Sequence, residues 1–239
     1  STNYKWRIPF KDVNFMEGFK TNDLDQKGSY TYGVKEMWYL HTIQSKNQVA
    51  EFYISPRDDA YGTKGESGGL PSDLNDPQNR SFQLDSVVLF NKLDRLENKA
   101  AAIPLKKVSF SYNYSLCKGV NNQKESTKGK LTLEKIKITY GRSDKGAQSP
   151  YVFTYSSVNP NYNPDHIDRW GNYKPNDNNP AGMTNADFPY VLQNIPDSTD
   201  HWASAWSLEE ILLPSGGKIK VVYESDDYAY VQNKTAMQM

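Results

Sequence analysis

The sequence has few of the residues that usually announce chemistry, with one cysteine and three histidines in 239 residues. A lone Cys117 excludes a disulfide framework within the chain, so stability must come from packing and hydrogen bonding, and oxidising and reducing compartments both stay open. His41, His166 and His201 stand too far apart for an H-E-x-x-H or comparable zinc spacing. No G-x-S-x-G, P-loop or G-x-G-x-x-G occurs, which leaves acyl and phosphoryl transfer without recognisable machinery. No apolar run approaches the roughly 18 residues of a membrane-crossing helix, so no membrane span is expected. An excess of either charge is missing as well. Lys and Arg total 28 against 28 Asp and Glu, and a nucleic-acid partner is not expected from such a balance. The chain begins Ser-Thr-Asn-Tyr-Lys-Trp, without an initiator Met or a signal peptide, and the expectation is a processed product or a piece of something longer.

Aromatic residues, by contrast, are abundant: 13% of the chain, with 17 Tyr against 9 Phe. Long Leu/Ala/Glu/Lys periods are scarce, and this balance favours strands over helices. The expected fold is all-β and mostly antiparallel, a sandwich or a comparable β-sheet block. It would form one module over 1–239, with a candidate subdivision near 100–105. Long Asn/Asp/Pro-rich loops and at most one short helix, at Asn91–Ala102, complete it. Tyr4, Trp6, Ile8 and Phe10 alternate with polar residues as an N-terminal strand. Runs at 30–43 and 48–55 flank a hairpin at Ser45-Lys46-Asn47, with Trp38, Leu40 and Phe52 as core candidates. Pro56–Arg80 reads as a long surface loop. Phe82–Phe90 follows as a strand, and its continuous Val87-Val88-Leu89 predicts burial on both faces. Val108, Phe110, Tyr112, Tyr114 and Leu116 alternate with small polar residues, which predicts one buried and one wet face. In the strand from Leu131 to Tyr140 the apolar parity switches, so a bulge is expected near Glu134-Lys135.

Trp206–Val231 carries the clearest strand-turn-strand signature. Trp206, Leu208 and Leu212 share one parity, and Ile219, Val221 and Tyr223 share another. Between them, Pro214 pre-sets the φ of a turn that Gly216 or Gly217 would close in the left-handed region. Beyond it, Glu224, Asp226 and Asp227 beside Tyr228 form either a solvated strand end or a calcium-accepting rim. Asn161–Asp168 and Asn176–Asn179 are also oxygen-rich enough for calcium if their loop folds back on itself.

Segment 157–201 trades aliphatics for Asn, Pro and Asp around several rings, and an irregular conformation held by aromatics is expected there. Asp165-His166-Ile167-Asp168-Arg169-Trp170 with Tyr173 is its densest group of polar and aromatic side chains. In a structural role, Asp168 caps backbone N–H groups, Trp170 plugs a core and Gly171 permits a bend. As a glycoside-active site, Asp168 or Glu224 would need a second carboxyl such as Glu209 or Asp226. As a glycan-binding face, Tyr162, Trp170, Tyr173 and Trp202 would stack on sugar rings. Cys117, next to Lys118, fits a small packed side chain better than an activated thiol.

The order Pro150-Tyr151-Val152-Phe153-Thr154-Tyr155, Asp168-Arg169-Trp170-Gly171-Asn172-Tyr173, then Leu213-Pro214-Ser215-Gly216-Gly217 leading to Tyr223-Glu224 and Tyr228 resembles a block in giant secreted proteins of the Bacteroidetes. In those proteins the block accompanies Rhs-type YD repeats. The resemblance covers roughly Leu131 to Val231. It implies a β-rich building block of a cell-surface or extracellular protein, with Asp168, Trp170, Gly171, Pro214, Gly216, Gly217, Tyr223, Glu224 and Tyr228 as motif residues. Such a block need not be catalytic, no catalytic residue and no cofactor other than possible calcium are expected, and its partners would be the remainder of a larger polypeptide or other surface proteins. A glycan-binding or adhesin module, then a glycoside-active enzyme, are the alternatives.

Overall fold

The computed structural model describes residues 2–7, 30–64, 73, 79–163, 165–168, 171–176, 179–185, 188, 191, 195–225, 230–231 and 234–235. Near the start, β1 (Thr2–Arg7) and β2 (Tyr30–Lys35) form an antiparallel ribbon; Ile8, Pro9 and Phe10 lie outside the described residues. The main body is one eight-stranded sheet. Its strands are β3 (Thr42–Gln44), β4 (Gln48–Tyr61), β5 (Arg80–Asn91), β6 (Lys106–Leu116), β7 (Lys130–Thr139), β8 (Tyr151–Tyr155), β9 (Leu208–Leu212) and β10 (Lys218–Lys220). Every neighbour in the sheet is also a neighbour in sequence, and every pairing is antiparallel. A last short pair, β11 (Tyr230–Val231) and β12 (Lys234–Thr235), stands apart. The fold is therefore mostly antiparallel β, and its strands form one meandering layer.

Local chemistry accounts for the turns. Between β3 and β4 the Gln48 amide donates to Ser45 Oγ at 3.0 Å while the Ser45 amide donates to the Gln48 carbonyl at 2.9 Å. Between β9 and β10 the Gly216 amide donates to the Leu213 carbonyl at 2.9 Å, and Gly216 adopts φ +85°, a region open to glycine at no steric cost. Asn91 caps α1 (Lys92–Asn98) by accepting from the Leu93 and Asp94 amides. The chain segment 99–105 that follows joins β5 to β6, which are paired in the sheet.

Register decides which side chains share a face, because residues directly opposite in a ladder point the same way. Phe52, Val87, Val108 and Ile138 form one cross-strand row. Phe110, Ile136 and Tyr151 form a second on the same face, and Phe153, Ile211 and Ile219 a third. The opposite face carries Thr42, Glu51, Val88, Lys107 and Thr139 in one row and Tyr53, Ser86, Ser109 and Lys137 in the next. The sheet is thus amphipathic. The expected bulge lies within β7: Ser111 pairs with Lys135 but Tyr112 with Leu133, leaving Glu134 as the extra residue. That residue reverses the parity and returns Leu133 to the face of Ile136.

Three expectations are corrected. Residues 56–61 belong to β4 and not to a surface loop. Composition suggested a loop because Gly, Pro, Asp, Asn and Ser dominate 56–80; the strand tolerates the charges of Arg57, Asp58 and Asp59 because they are paired. Trp38 and Leu40 are 88% and 54% exposed rather than core, and Phe52 is half-buried. The third concerns β5 and β6. On β5 the buried apolar side chains are Val88 and Phe90, joined by Val49 and Ala102 beneath α1, whereas Val87 and Leu89 on the other face stay half-buried. The apolar face of β6 is half-buried too. Arg95 of α1 holds the small core closed, pairing with Glu51 at 2.7 Å and lying 4.8 Å over the Phe90 ring.

At the far end of β4 the sheet is tied across its own neighbours. Asp59 has no exposed surface. Its carboxylate accepts from Arg57 Nε at 2.9 Å and Nη2 at 2.7 Å and from the Leu131 amide at 2.9 Å, with Lys130 Nζ at 3.3 Å. Strand alternation puts Arg57 and Asp59 on one side, and Lys130 and Leu131 come from β7, three strands further on. Burial pushes the Asp59 carboxyl up, but Arg57, the Leu131 amide and Lys130 outweigh it, so the native pKa lies below 3.8. Because the unfolded carboxyl takes its proton at higher pH than the native one, this stabilisation is complete above about pH 4 and is lost as the pH falls through the native value. Asp59→Ala should cost about 3–5 kcal/mol in urea unfolding, as removing one partner of a buried ion group does. Asp59→Asn should flatten the loss of stability that sets in as the pH falls below about 4.

Candidate functional site

The segment between β8 and β9 holds the residues with the most chemistry. Ile167 and Tyr173 form an antiparallel bridge around a tight turn. Within it the Asp168 amide donates to the Asn172 carbonyl at 2.9 Å, and Asp168 Oδ1 accepts from the Asn172 amide at 2.8 Å. A carboxylate that closes its own turn is an Asx-type arrangement. Gly171 takes φ +97° at the bend. The turn presents Tyr173 to a group of rings.

Tyr173 packs 5.1 Å from Trp202 and 5.3 Å from Trp206, ring centre to ring centre. His166 meets it edge-on at 5.6 Å, with Nδ1 3.0 Å from the Tyr173 hydroxyl. His201 packs on Trp202 from the other side at 4.7 Å. Trp202 comes from α2 (Pro196–Ala203), a second short helix within the segment expected to be irregular. Pro at its first position suits a helix start. Edge-to-face ring contacts of this kind add to the area they bury. They make the cluster a small core for the segment.

Behind the turn the polar chain folds back on itself. Asn185 is buried, donating from Nδ2 to the carbonyls of Lys174 at 2.9 Å and Asp165 at 3.1 Å and accepting from Asn179 Nδ2 at 2.7 Å. Its own amide donates to Asn176 Oδ1 at 2.7 Å. Lys174 is also buried, its ammonium bonded to the Val191 carbonyl. Burial holds the Lys174 pKa below the usual lysine value, with Asp168 pulling the other way. Asp165 Oδ1 and Asn179 Oδ1 are buried acceptors without a hydrogen-bond donor among the described residues. Among the described residues no group of three or more His, Cys, Asp or Glu side chains is placed to hold a metal ion.

The other sequence candidates lie apart from this cluster or beside it. Tyr162 is 40% exposed, with its amide on the Lys118 carbonyl. Pro214, Gly216 and Gly217 make the β9–β10 turn. Tyr223 donates its hydroxyl to the Leu208 carbonyl at 2.9 Å, while Glu224 and Glu209 are exposed. Arg169, Trp170, Asp226, Asp227 and Tyr228 lie outside the described residues, as do Asp177 and Asn178 of the second oxygen-rich stretch. Cys117 is half-buried, and burial pushes its thiol up despite Lys130, which keeps thiolate scarce at neutral pH.

Sequence reasoning missed the second concentration of ionisable groups, at the β4 end. There Arg80 Nη1 reaches Tyr61 Oη at 2.9 Å and Asp58 Oδ1 at 3.3 Å beside the Asp59 group. The Arg57-Asp58-Asp59 triplet was its sequence signal, since i and i+2 share a strand face. With both centres described, comparison with known proteins finds no matching family model, no matching curated protein and no matching solved structure.

Tyr173→Ala should lower stability by about 3 kcal/mol, as removing an enclosed aromatic does. Tyr173→Phe should cost only about 1 kcal/mol, the worth of one hydrogen bond. Tyr162→Ala, at a ring 40% exposed, should cost less than Tyr173→Ala. Denaturant midpoints of the three variants check this order.

Proposed function

We propose that the chain is a non-enzymatic structural module, a β-sheet block of a large exported or cell-surface protein of the Rhs-associated kind. Its partners would be the remainder of that polypeptide or neighbouring surface proteins. The observation that carries the proposal is the inward packing of Tyr173 against Trp202, Trp206 and His166. General acid–base work needs a proton or charge presented to a substrate. Here the Asp168 carboxylate closes a turn, His166 bonds Tyr173, and the Lys174 ammonium is buried on a carbonyl. Each group has a structural role that accounts for its presence.

The Rhs-like part is supported by where the motif segments fall. The Tyr151–Tyr155 segment is β8 and pairs with β9, and the Leu213–Gly217 segment is the turn that leads β9 into β10. These two of the three segments that carry the resemblance are therefore contiguous in the sheet, as one structural block requires. One observation favours a glycan-binding reading instead: the Tyr162 ring is exposed beside an Asn-rich stretch, the kind of surface on which a sugar stacks.

Glycan-array binding and polysaccharide hydrolysis by the purified chain test the proposal, and neither signal is expected. Binding that disappears in Tyr162→Ala while the melting temperature holds would replace it with the adhesin reading. Turnover abolished by Asp168→Asn or Glu224→Gln would replace it with an enzyme.

A further inference from the structure

Two buried oxygens between β8 and β9 lack a hydrogen-bond donor among the described residues, and each belongs to one of the oxygen-rich stretches that the sequence marks for calcium. Asp165 Oδ1 lies in Asn161–Asp168 and Asn179 Oδ1 in Asn176–Asn179; both are closed off from solvent. The fold-back that such a site requires is present. Asn185, 3% exposed, donates from Nδ2 to the carbonyls of Asp165 and Lys174, while its backbone amide donates to Asn176 Oδ1 and its Oδ1 accepts from Asn179 Nδ2. These contacts fix both amide orientations. Two carbonyls, which only accept, hold Asn185 Nδ2, so its Oδ1 must face Asn179 Nδ2, and Asn179 Oδ1 remains an acceptor. An acceptor buried without a donor is destabilising and calls for a partner from outside the chain, an ion or a water.

We propose that the partner is a calcium ion held where the two stretches meet at Asn185. Two features favour the ion over water. The first is the donor set. Besides the two orphans, the carbonyls of Asp165 and Lys174 and Asn176 Oδ1 each accept a hydrogen bond from Asn185 and keep a second lone pair. Four residues bonded to one side chain or its amide thus offer five oxygens, and calcium takes 6–8 from carboxylates, amide and backbone carbonyls and water. Four of the five are neutral, which is why no group of three acidic side chains marks the place among the described residues. The second feature is charge. One orphan is a carboxylate oxygen, which attracts a cation more strongly than a neutral water. The other charges nearby are already engaged: Asp168 Oδ1 accepts from the Asn172 amide, and the Lys174 ammonium is bonded to the Val191 carbonyl. With a single carboxylate the affinity falls in the range of extracellular calcium modules, with Kd about 0.1–1 mM.

This inference goes beyond the structural-module reading and stands independently of it. A chain indifferent to calcium would leave that reading intact, and glycan binding or turnover would leave the calcium result intact. The full chain, stripped with EDTA and dialysed, is melted in calcium chloride up to about 10 mM, well above the expected Kd, and in sodium chloride of equal ionic strength. Calcium should raise the melting temperature by about 3 °C at the top of that range, and sodium should not. Asp165→Asn should abolish the calcium shift. Asp144→Asn, at an exposed carboxylate in the turn after β7, should keep it. A wild-type chain with no shift beyond the sodium control overturns the proposal and leaves water as the partner. A shift that survives Asp165→Asn overturns it equally and places the ion elsewhere. Should Asp165→Asn fail to fold, hydrogen exchange of the wild type decides. Amides between Asn163 and Asn185 that slow in calcium support the site, and slowing elsewhere or none overturns it.

Discussion

Strands β3 to β10 pair in the ladder only with the strands before and after them in sequence, and the placement of every other feature follows from that ladder. Backbone groups are satisfied locally, so the meander needs no crossover and no second layer to exist. What the ladder leaves open is the fate of the two faces. Parity alone sends many aliphatic and aromatic side chains to one side, and most Lys, Glu and Ser to the other together with the small core of Val49, Val88 and Phe90. The single extra residue Glu134 keeps β7 in step when its apolar parity reverses. The resulting surface is ordered by backbone pairing before any side chain is packed against anything.

Charged groups do at the strand ends what a broad core would otherwise do. Asp59 links the last residues of β4 to the first of β7, although β5 and β6 lie between them in the sheet, so that end must curl for the contact to exist. A carboxylate with no exposed surface is costly unless paired and hydrogen-bonded; here two cations and an amide meet that condition. Such a group fixes geometry more surely than it adds stability, since buried ion pairs often do no better than apolar replacements of the same shape. The close approach of Gly129 to the Leu116 carbonyl, where a Cβ would sit 1.7 Å from the oxygen, belongs to the same end of the sheet.

Much of the architecture was legible in the sequence because it is local. The hairpin at 45–47, the turn at 214–217, the bulge at Glu134 and the helix after Asn91 all rest on spacing over a few residues. Features that depend on distant partners were not legible. Arg57 and Asp59 look like loop residues until Leu131 and Lys130 are brought to them. Trp38 looks like core, yet nothing in its own neighbourhood tells how far it lies from a covering element. The same limit applies to the candidate site. Asp168 and Gly171 sit in a turn whose signals are adjacent in sequence, whereas the ring contacts of Tyr173 need α2 and the approach to β9.

Trp206 concentrates this difference in one residue. Its parity with Leu208 and Leu212 suggests a strand position, but β9 begins at Leu208 and Trp206 stands at φ +59°. A left-handed conformation costs a non-glycine residue roughly 1–2 kcal/mol and persists only where surroundings overdetermine it. They do so here from three directions. The indole N–H donates to the Pro160 carbonyl at 2.8 Å, the backbone N–H donates to the Val158 carbonyl at 3.0 Å, and Tyr173 packs against the ring. The strain is thus held at the point where the long excursion rejoins the sheet. Rings there that resemble a binding surface in the sequence are the means by which an Asn-rich segment keeps its fixed return path.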